Sequence, residues 1–280
     1  MIRRAWVNGV LHEDGDTASV VVSDRGLAYG DGLFETLRIE GGRPVLFALH
    51  LQRMAASALA LGIPFDRSEV ERAFLAFIRD AGDAVAKILL TRGAGGRGYL
   101  PEAGIAPTLV FLLYPAVIWS PALAAEGVVA AICRQPLGIS PLLAGHKHLN
   151  RLEQVLLRQE LAASPAAHEA LVSDVEGHVT EGVFSNLFFV RNGVVHTPAL
   201  DRAGVRGVMR QLLMQELTQQ GVPVHEGRYC LADVLAADEM FFCNSLYGIW
   251  PVRQMADQVR QPGPLTRRLQ QRWDAMLRAS

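Results

Sequence analysis

Short apolar runs of strand length alternate with amphipathic runs of helix length, and a proline-bounded stretch at 115–121 parts them into two blocks. That order predicts an α+β fold of mixed α/β character. The first domain is expected at 1–114, a linker at 115–121 and a second domain at 122–280. In the first block, strands are predicted at 5–10, 19–22, 33–40, 85–91 and 109–114. Helices are predicted at 46–61 and 68–80, the second with Ser68 as N-cap and Glu71 in the capping-box position. Gly30-Asp31-Gly32 reads as a tight bend, since a lone GxG is weak grounds for a phosphate loop. In the second block, strands are predicted at 128–133, 170–174, 186–190, 194–197 and 239–243. Helices follow at 150–162, from a glycine-bounded turn at 204–207 to about 220, and at 265–279.

Composition narrows the function classes. A formal net charge of −1 without a clustered basic excess argues against nucleic acid. Cys133, Cys230 and Cys243 are scattered and form no CxxC pair, so neither a disulfide framework nor a metal site is expected. The longest apolar run, 109–119, is broken by Pro115 and too short to span a bilayer. No apolar stretch of signal-peptide type follows Met1. A soluble protein of the reducing cytoplasm is the expectation.

The 27 basic residues include only two lysines, Lys87 and Lys147. A lysine kept where arginine serves every other need suits a task that guanidinium cannot do, namely losing a proton and acting as an amine nucleophile. Glu181 lies in a buried-looking stretch, Arg53 on a helix, and Ser245 just past a buried strand at Asn244. The turn at 204–207 feeds a helix start, where free N–H groups and the dipole favour phosphate. The loop 92–99 carries Arg92, Arg97 and Tyr99 and suits an anionic small molecule. A lysine, a carboxylate and several phosphate donors together match the needs of pyridoxal phosphate: an amine for its aldehyde, a carboxylate for its ring nitrogen and donors for its phosphate.

Three segments, GAGGRGY at 93–99, LAGHKHLNRLEQVL at 143–156 and GVRGVMR at 204–210, extend that match. On them the chain resembles the branched-chain aminotransferase-like family of pyridoxal-phosphate enzymes, fold type IV, over nearly its whole length. The resemblance implies that Lys147 binds the cofactor and transfers protons, and that Glu181 pairs with the ring nitrogen. It implies Arg53, the backbone of Val205 and Arg206, and Ser245 after Asn244 around the phosphate. Thr36 and Arg38 match substrate-facing positions, Lys87 a strand position open to the site, and Arg97 is a further cation for substrate carboxylates. The run KHLNRLEQVL is typical of the family's lyases, which convert 4-amino-4-deoxychorismate to 4-aminobenzoate and pyruvate. A D-amino-acid or branched-chain transaminase is the alternative, and a non-catalytic binder on the same fold a third reading. Glu35 stands where many transaminases carry glutamate, which bears on the choice between the first two. The resemblance also implies a homodimer.

Overall fold

The computed structural model describes residues 1–279. The chain divides into two compact units, one of residues 1–118 with 146–150 and one of 119–145 with 151–280.

The first unit runs β1 (Arg4–Val7), β2 (Val10–Glu13), α1 (Arg25–Tyr29), β3 (Gly32–Glu40), β4 (Arg43–Pro44), α2 (Phe47–Leu61), α3 (Arg67–Phe77), β5 (Ala84–Thr91) and β6 (Thr108–Pro115). Its strands form an antiparallel sheet in the order β2-β1-β6-β5-β3-β4. Strand alternation does the sorting. Leu33, Leu37 and Ile39 of β3, Ala86 and Ile88 of β5, and Phe111 and Leu113 of β6 turn to one face. There they pack with Leu51, Met54 and Ala58 of α2 and with Val70, Phe74 and Phe77 of α3. The opposite face carries Phe34, Thr36 and Arg38, which are half-buried.

Three expectations fail here. The strand predicted at 5–10 is broken by a turn at Asn8 and Gly9 into β1 and β2, which pair as a hairpin. Residues 19–22 are exposed and form no strand. The β-branched run Val20-Val21-Val22 has the composition of a strand but pairs with none. The second helix begins two residues early, because the Asp66 carboxylate accepts the Glu69 N–H at 3.0 Å and so caps α3 in place of Ser68. Gly30 is the left-handed C-cap of α1, with φ 65°.

The second unit runs α4 (Pro121–Ala125), β7 (Val128–Ile132), α5 (Leu152–Ala162), β8 (Glu169–Ser173), β9 (Val179–Gly182), β10 (Asn186–Arg191), β11 (Val194–Pro198), α6 (Val208–Gln219), β12 (Val224–Gly227), α7 (Leu231–Leu235), β13 (Glu239–Asn244), β14 (Gly248–Met255), β15 (Gln258–Val259) and α8 (Pro264–Ala279). Its sheet follows β12-β11-β10-β13-β14-β7-β8-β9, with β15 on β14. Three pairs are parallel: β11 with β12, β14 with β7, and β7 with β8. Leu187, Phe189, Met240, Phe242, Trp250 and Val252 centre one core of this sheet. Leu157 and Leu161 of α5 meet Ala170 and Val172 in another. Helix α5 starts at Leu152 rather than 150: Arg151, its N-cap, has a non-helical φ of −120°, and the Asn150 side-chain amide donates to Gly30 O at 3.2 Å.

Candidate active site

In the first unit, the segment 146–150 runs along the free edge at the start of β3. Phe34 N–H donates to Lys147 O at 3.0 Å, and Leu149 N–H donates to Gly32 O at 2.9 Å. These bonds fix the backbone of Lys147, and its Nζ lies 4.4 Å from the Phe34 ring centroid. His146 Nδ1 is 2.9 Å from Ser57 Oγ on α2, which ties the segment to a helix as well.

Thr36 lies directly across from Lys87 in the β3–β5 register. Lys87 Nζ is 5.8 Å from the Phe34 ring and 5.9 Å from that of Tyr114. Phe34 therefore has both lysines of the chain within reach of its ring. Arg38, further along the same face, is ion-paired with Glu40. Arg97 is exposed on its loop. That loop is held by the buried Arg25, which donates to Gly98 O and Tyr99 O, each at 2.8 Å. Arg92 is drawn off elsewhere, to Asp31 at 2.7 Å and to the last carbonyls of α2, at Leu61 and Gly62.

Glu35 faces the helices, so it is not a wall of the Thr36–Lys87 face. Its carboxylate accepts Arg53 Nε at 2.8 Å and lies 2.6 Å from His50 Nδ1. Burial pushes the Glu35 pKa up, but Arg53 and His50 together outweigh it and hold the group at about 2. Burial lowers the His50 pKa against the raising effect of the Glu35 carboxylate, and the positive charges of Arg53 and Lys147 add to the lowering. Arg53 thus sits on the helix-covered side, apart from Thr36, Arg38 and Lys87. His50 and Arg53, three residues apart on α2, share one helix face, and that spacing was the available signal for the network.

In the second unit the sequence-selected residues form one connected set. Glu181 Oε2 accepts Val205 N–H at 2.9 Å and Asn186 Nδ2 at 3.3 Å. Asn186 also donates to Val205 O at 2.9 Å and accepts Gly207 N–H at 3.1 Å. Asn186, missed from sequence, is therefore the brace of the 204–207 loop. A Cβ on Gly207 would fall 2.0 Å from the Asn186 oxygen, so only glycine allows this approach. Arg206 N–H donates to Gly145 O at 3.1 Å, and Gly145 N–H to Gly204 O at 2.9 Å. Asn244 donates to Phe184 O at 3.2 Å and accepts Leu246 and Tyr247 N–H at 2.9 and 3.0 Å, forming the turn that carries Ser245.

The donor set fits a phosphorylated, aldehyde-bearing ring cofactor. No side chain caps α6, whose N-cap is Gly207, so its first-turn N–H groups keep their affinity for an anion. In the same unit Ser245 adds a hydroxyl and buried Glu181 a carboxylate; the amine, Lys147, belongs to the first unit.

A lysine fixed on a sheet edge, in a chain that also ties a buried carboxylate to a helix-start loop, is what a lysine-dependent cofactor enzyme requires. The chain belongs to the class IV aminotransferase family, whose model, described as amino-transferase class IV, matches residues 32–255. It is 38% identical to an aminodeoxychorismate lyase of Vibrio harveyi, over 95% of this chain and 97% of that one. It is 30% identical to a putative branched-chain-amino-acid aminotransferase of Methanocaldococcus jannaschii, over 96% and 95%. The crystal structure of 4-amino-4-deoxychorismate lyase from Pseudomonas aeruginosa superposes with a TM-score of 0.92, at 44% identity, over 97% and 98% of the two chains. Among the described residues no helix is long and apolar enough to cross a membrane, and no His/Cys/Asp/Glu cluster could hold a metal ion.

Proposed function

We propose that the chain is a pyridoxal-phosphate-dependent lyase that converts 4-amino-4-deoxychorismate to 4-aminobenzoate and pyruvate. The observation that carries the lyase reading is the match to two lyases at 38% and 44% identity over nearly the full length of each chain. The transaminase alternative draws on the 30% match to the Methanocaldococcus relative.

When bound, pyridoxal phosphate supplies an electron sink that acidifies the C–H beside the substrate's amino nitrogen. Lys147 would hold the cofactor and then, as a free amine, take the C4 proton. Glu181 would present its carboxylate to the ring nitrogen and keep that nitrogen protonated. Arg53, the backbone of Val205 and Arg206, and Asn244 with Ser245 would take the phosphate, which would replace Glu181 as acceptor of the Val205 N–H and Gly145 O as acceptor of the Arg206 N–H. Loss of the C4 proton breaks the neighbouring C3–O bond, and enolpyruvate leaves to become pyruvate. The ring left behind is aromatic, which makes the elimination strongly downhill. The substrate's two carboxylates need cations, and Lys87, Arg97 and Arg38 are assigned to them, with Thr36 beside Lys87.

We further propose that the enzyme is a cytoplasmic homodimer. The first unit exposes Val21, Val22, Leu27, Tyr99 and Leu100, a set that a partner would cover. The three cysteines are free thiols, as a reducing compartment requires.

The test is purified protein with pyridoxal phosphate and 4-amino-4-deoxychorismate, followed for 4-aminobenzoate and pyruvate in equal amounts. Lys147→Ala should abolish both products together with the visible-edge absorbance. No aromatic product, with amino transfer to 2-oxoglutarate instead, would reject the lyase reading.

A further inference from the structure

Glu169, at the start of β8, is fully buried, and the chemistry proposed above does not use it. Among the described residues it forms no ion pair. Its bonds go instead to its own neighbour and to one turn. Oε1 accepts Ala170 N–H at 2.9 Å and Val183 N–H at 3.0 Å. Oε2 lies 2.6 Å from Ser185 Oγ. The turn closes on itself through Gly182 N–H to Ser185 O at 2.8 Å. A Cβ on Gly182 would meet Ser185 Oγ at 2.3 Å and the Glu169 carboxyl carbon at 3.0 Å, so the turn wraps the carboxyl closely.

The position of this turn gives it consequence. Glu181 immediately precedes it and Asn186 immediately follows it, and these two side chains hold the 204–207 loop. In its middle, Phe184 O receives Asn244, which shapes the turn bearing Ser245. Both arms assigned to the phosphate therefore hang from 182–185. We infer that Glu169 is a positioning residue for the cofactor's phosphate: its carboxyl fixes the 182–185 turn, and that turn sets the 204–207 loop and Ser245. The inference rests on the pyridoxal-phosphate reading of the site.

Burial raises the Glu169 pKa to about 7, so both protonation states occur near neutrality. In either state Oε1 accepts the two backbone N–H groups, and one hydrogen bond joins Oε2 to Ser185 Oγ. The clamp needs an acceptor of the right shape, not a charge.

The experiment titrates apoprotein with pyridoxal phosphate and, separately, with pyridoxal, which lacks the phosphate, by visible-edge absorbance. Glu169→Ala should weaken pyridoxal phosphate ~10-fold or more and pyridoxal less than ~3-fold. Glu169→Gln, whose amide oxygen still accepts both N–H groups, should stay within ~3-fold of wild type for both. If Glu169→Ala does not fold, Ser185→Ala carries the test, with a smaller loss that again falls on pyridoxal phosphate alone. Equal losses for the two aldehydes, no loss, or Glu169→Gln as weak as Glu169→Ala would overturn the inference. Wild-type protein that takes up neither aldehyde would overturn the cofactor reading itself, a result distinguishable from normal wild-type binding with unchanged variants.

Discussion

Glu35→Gln should destabilise the first unit, and by an amount that depends on pH. The native carboxylate is held at about 2 against an ordinary value of 4.5. At ~1.36 kcal/mol per pKa unit, that difference amounts to about 3 kcal/mol of native stability. The folded-state pKa lies below the unfolded one. The contribution is therefore complete above about pH 4.5 and is lost as pH falls from there through about 2. Glutamine keeps the shape but removes the negative charge that Arg53 pairs with, in a setting where Glu35 is 1% and Arg53 11% exposed. Breaking such a buried pair from one side costs roughly 3–5 kcal/mol, which agrees with the linkage figure. Urea denaturation of wild type and Glu35→Gln over a pH series measures both quantities. The gap should be about 3 kcal/mol near neutrality and close as the solution is acidified below about pH 4.5. A gap under ~1 kcal/mol, or one that does not change with pH, would refute the assignment of Glu35 as Arg53's anchor.

Glu169 predicts the opposite pH dependence. Its native pKa is raised to about 7, so its contribution is complete below about pH 4.5 and fades as pH rises to about 7. Glu169→Gln should remove a decline of about 3 kcal/mol across that interval, read from the same denaturation series. Lys87→Ala should raise KM for the dicarboxylate substrate ~10-fold or more with a smaller change in kcat, and steady-state kinetics would show the split. The Glu239 carboxylate accepts the Thr266 N–H and, at 2.5 Å, the Thr266 hydroxyl, with Leu265 N–H at 3.3 Å. It thereby ties down the start of α8. Glu239→Ala should lower stability by about 1–2 kcal/mol, measured by thermal melting followed by circular dichroism.

Most elements were legible where one face of a strand or helix is buried. Alternation in 33–40 and 85–91 marks β3 and β5, and Gly62 ends α2 where the apolar spacing stops. The strand β14 was not legible, because Pro251 stands in its middle and proline argues against a central strand. The sheet accommodates it next to a register shift between Val252 and Gln254, where β14 meets β7. At the head of α3, Asp66 and Ser68 each stand three residues before a glutamate, so the local sequence offers two caps of equal form. Lys147 stood out in the sequence because lysine is rare in it. Glu35 looked like a pocket residue because its partners His50 and Arg53 lie 15 and 18 positions away. Glu169 lies in no recognised motif, and its role appears only when the 182–185 turn closes around it.

The segment 146–150 belongs with the first unit, although the chain on both sides of it belongs with the second. The polypeptide therefore passes from one unit to the other three times, and no single cut can release either one whole. A fragment ending at residue 118 would leave Phe34 N–H without its acceptor and Gly32 O without its donor. A fragment beginning at 119 would carry Lys147 with no β3 to lie along. The residue on which the proposed chemistry turns is thus the one that neither half could keep in place if expressed alone.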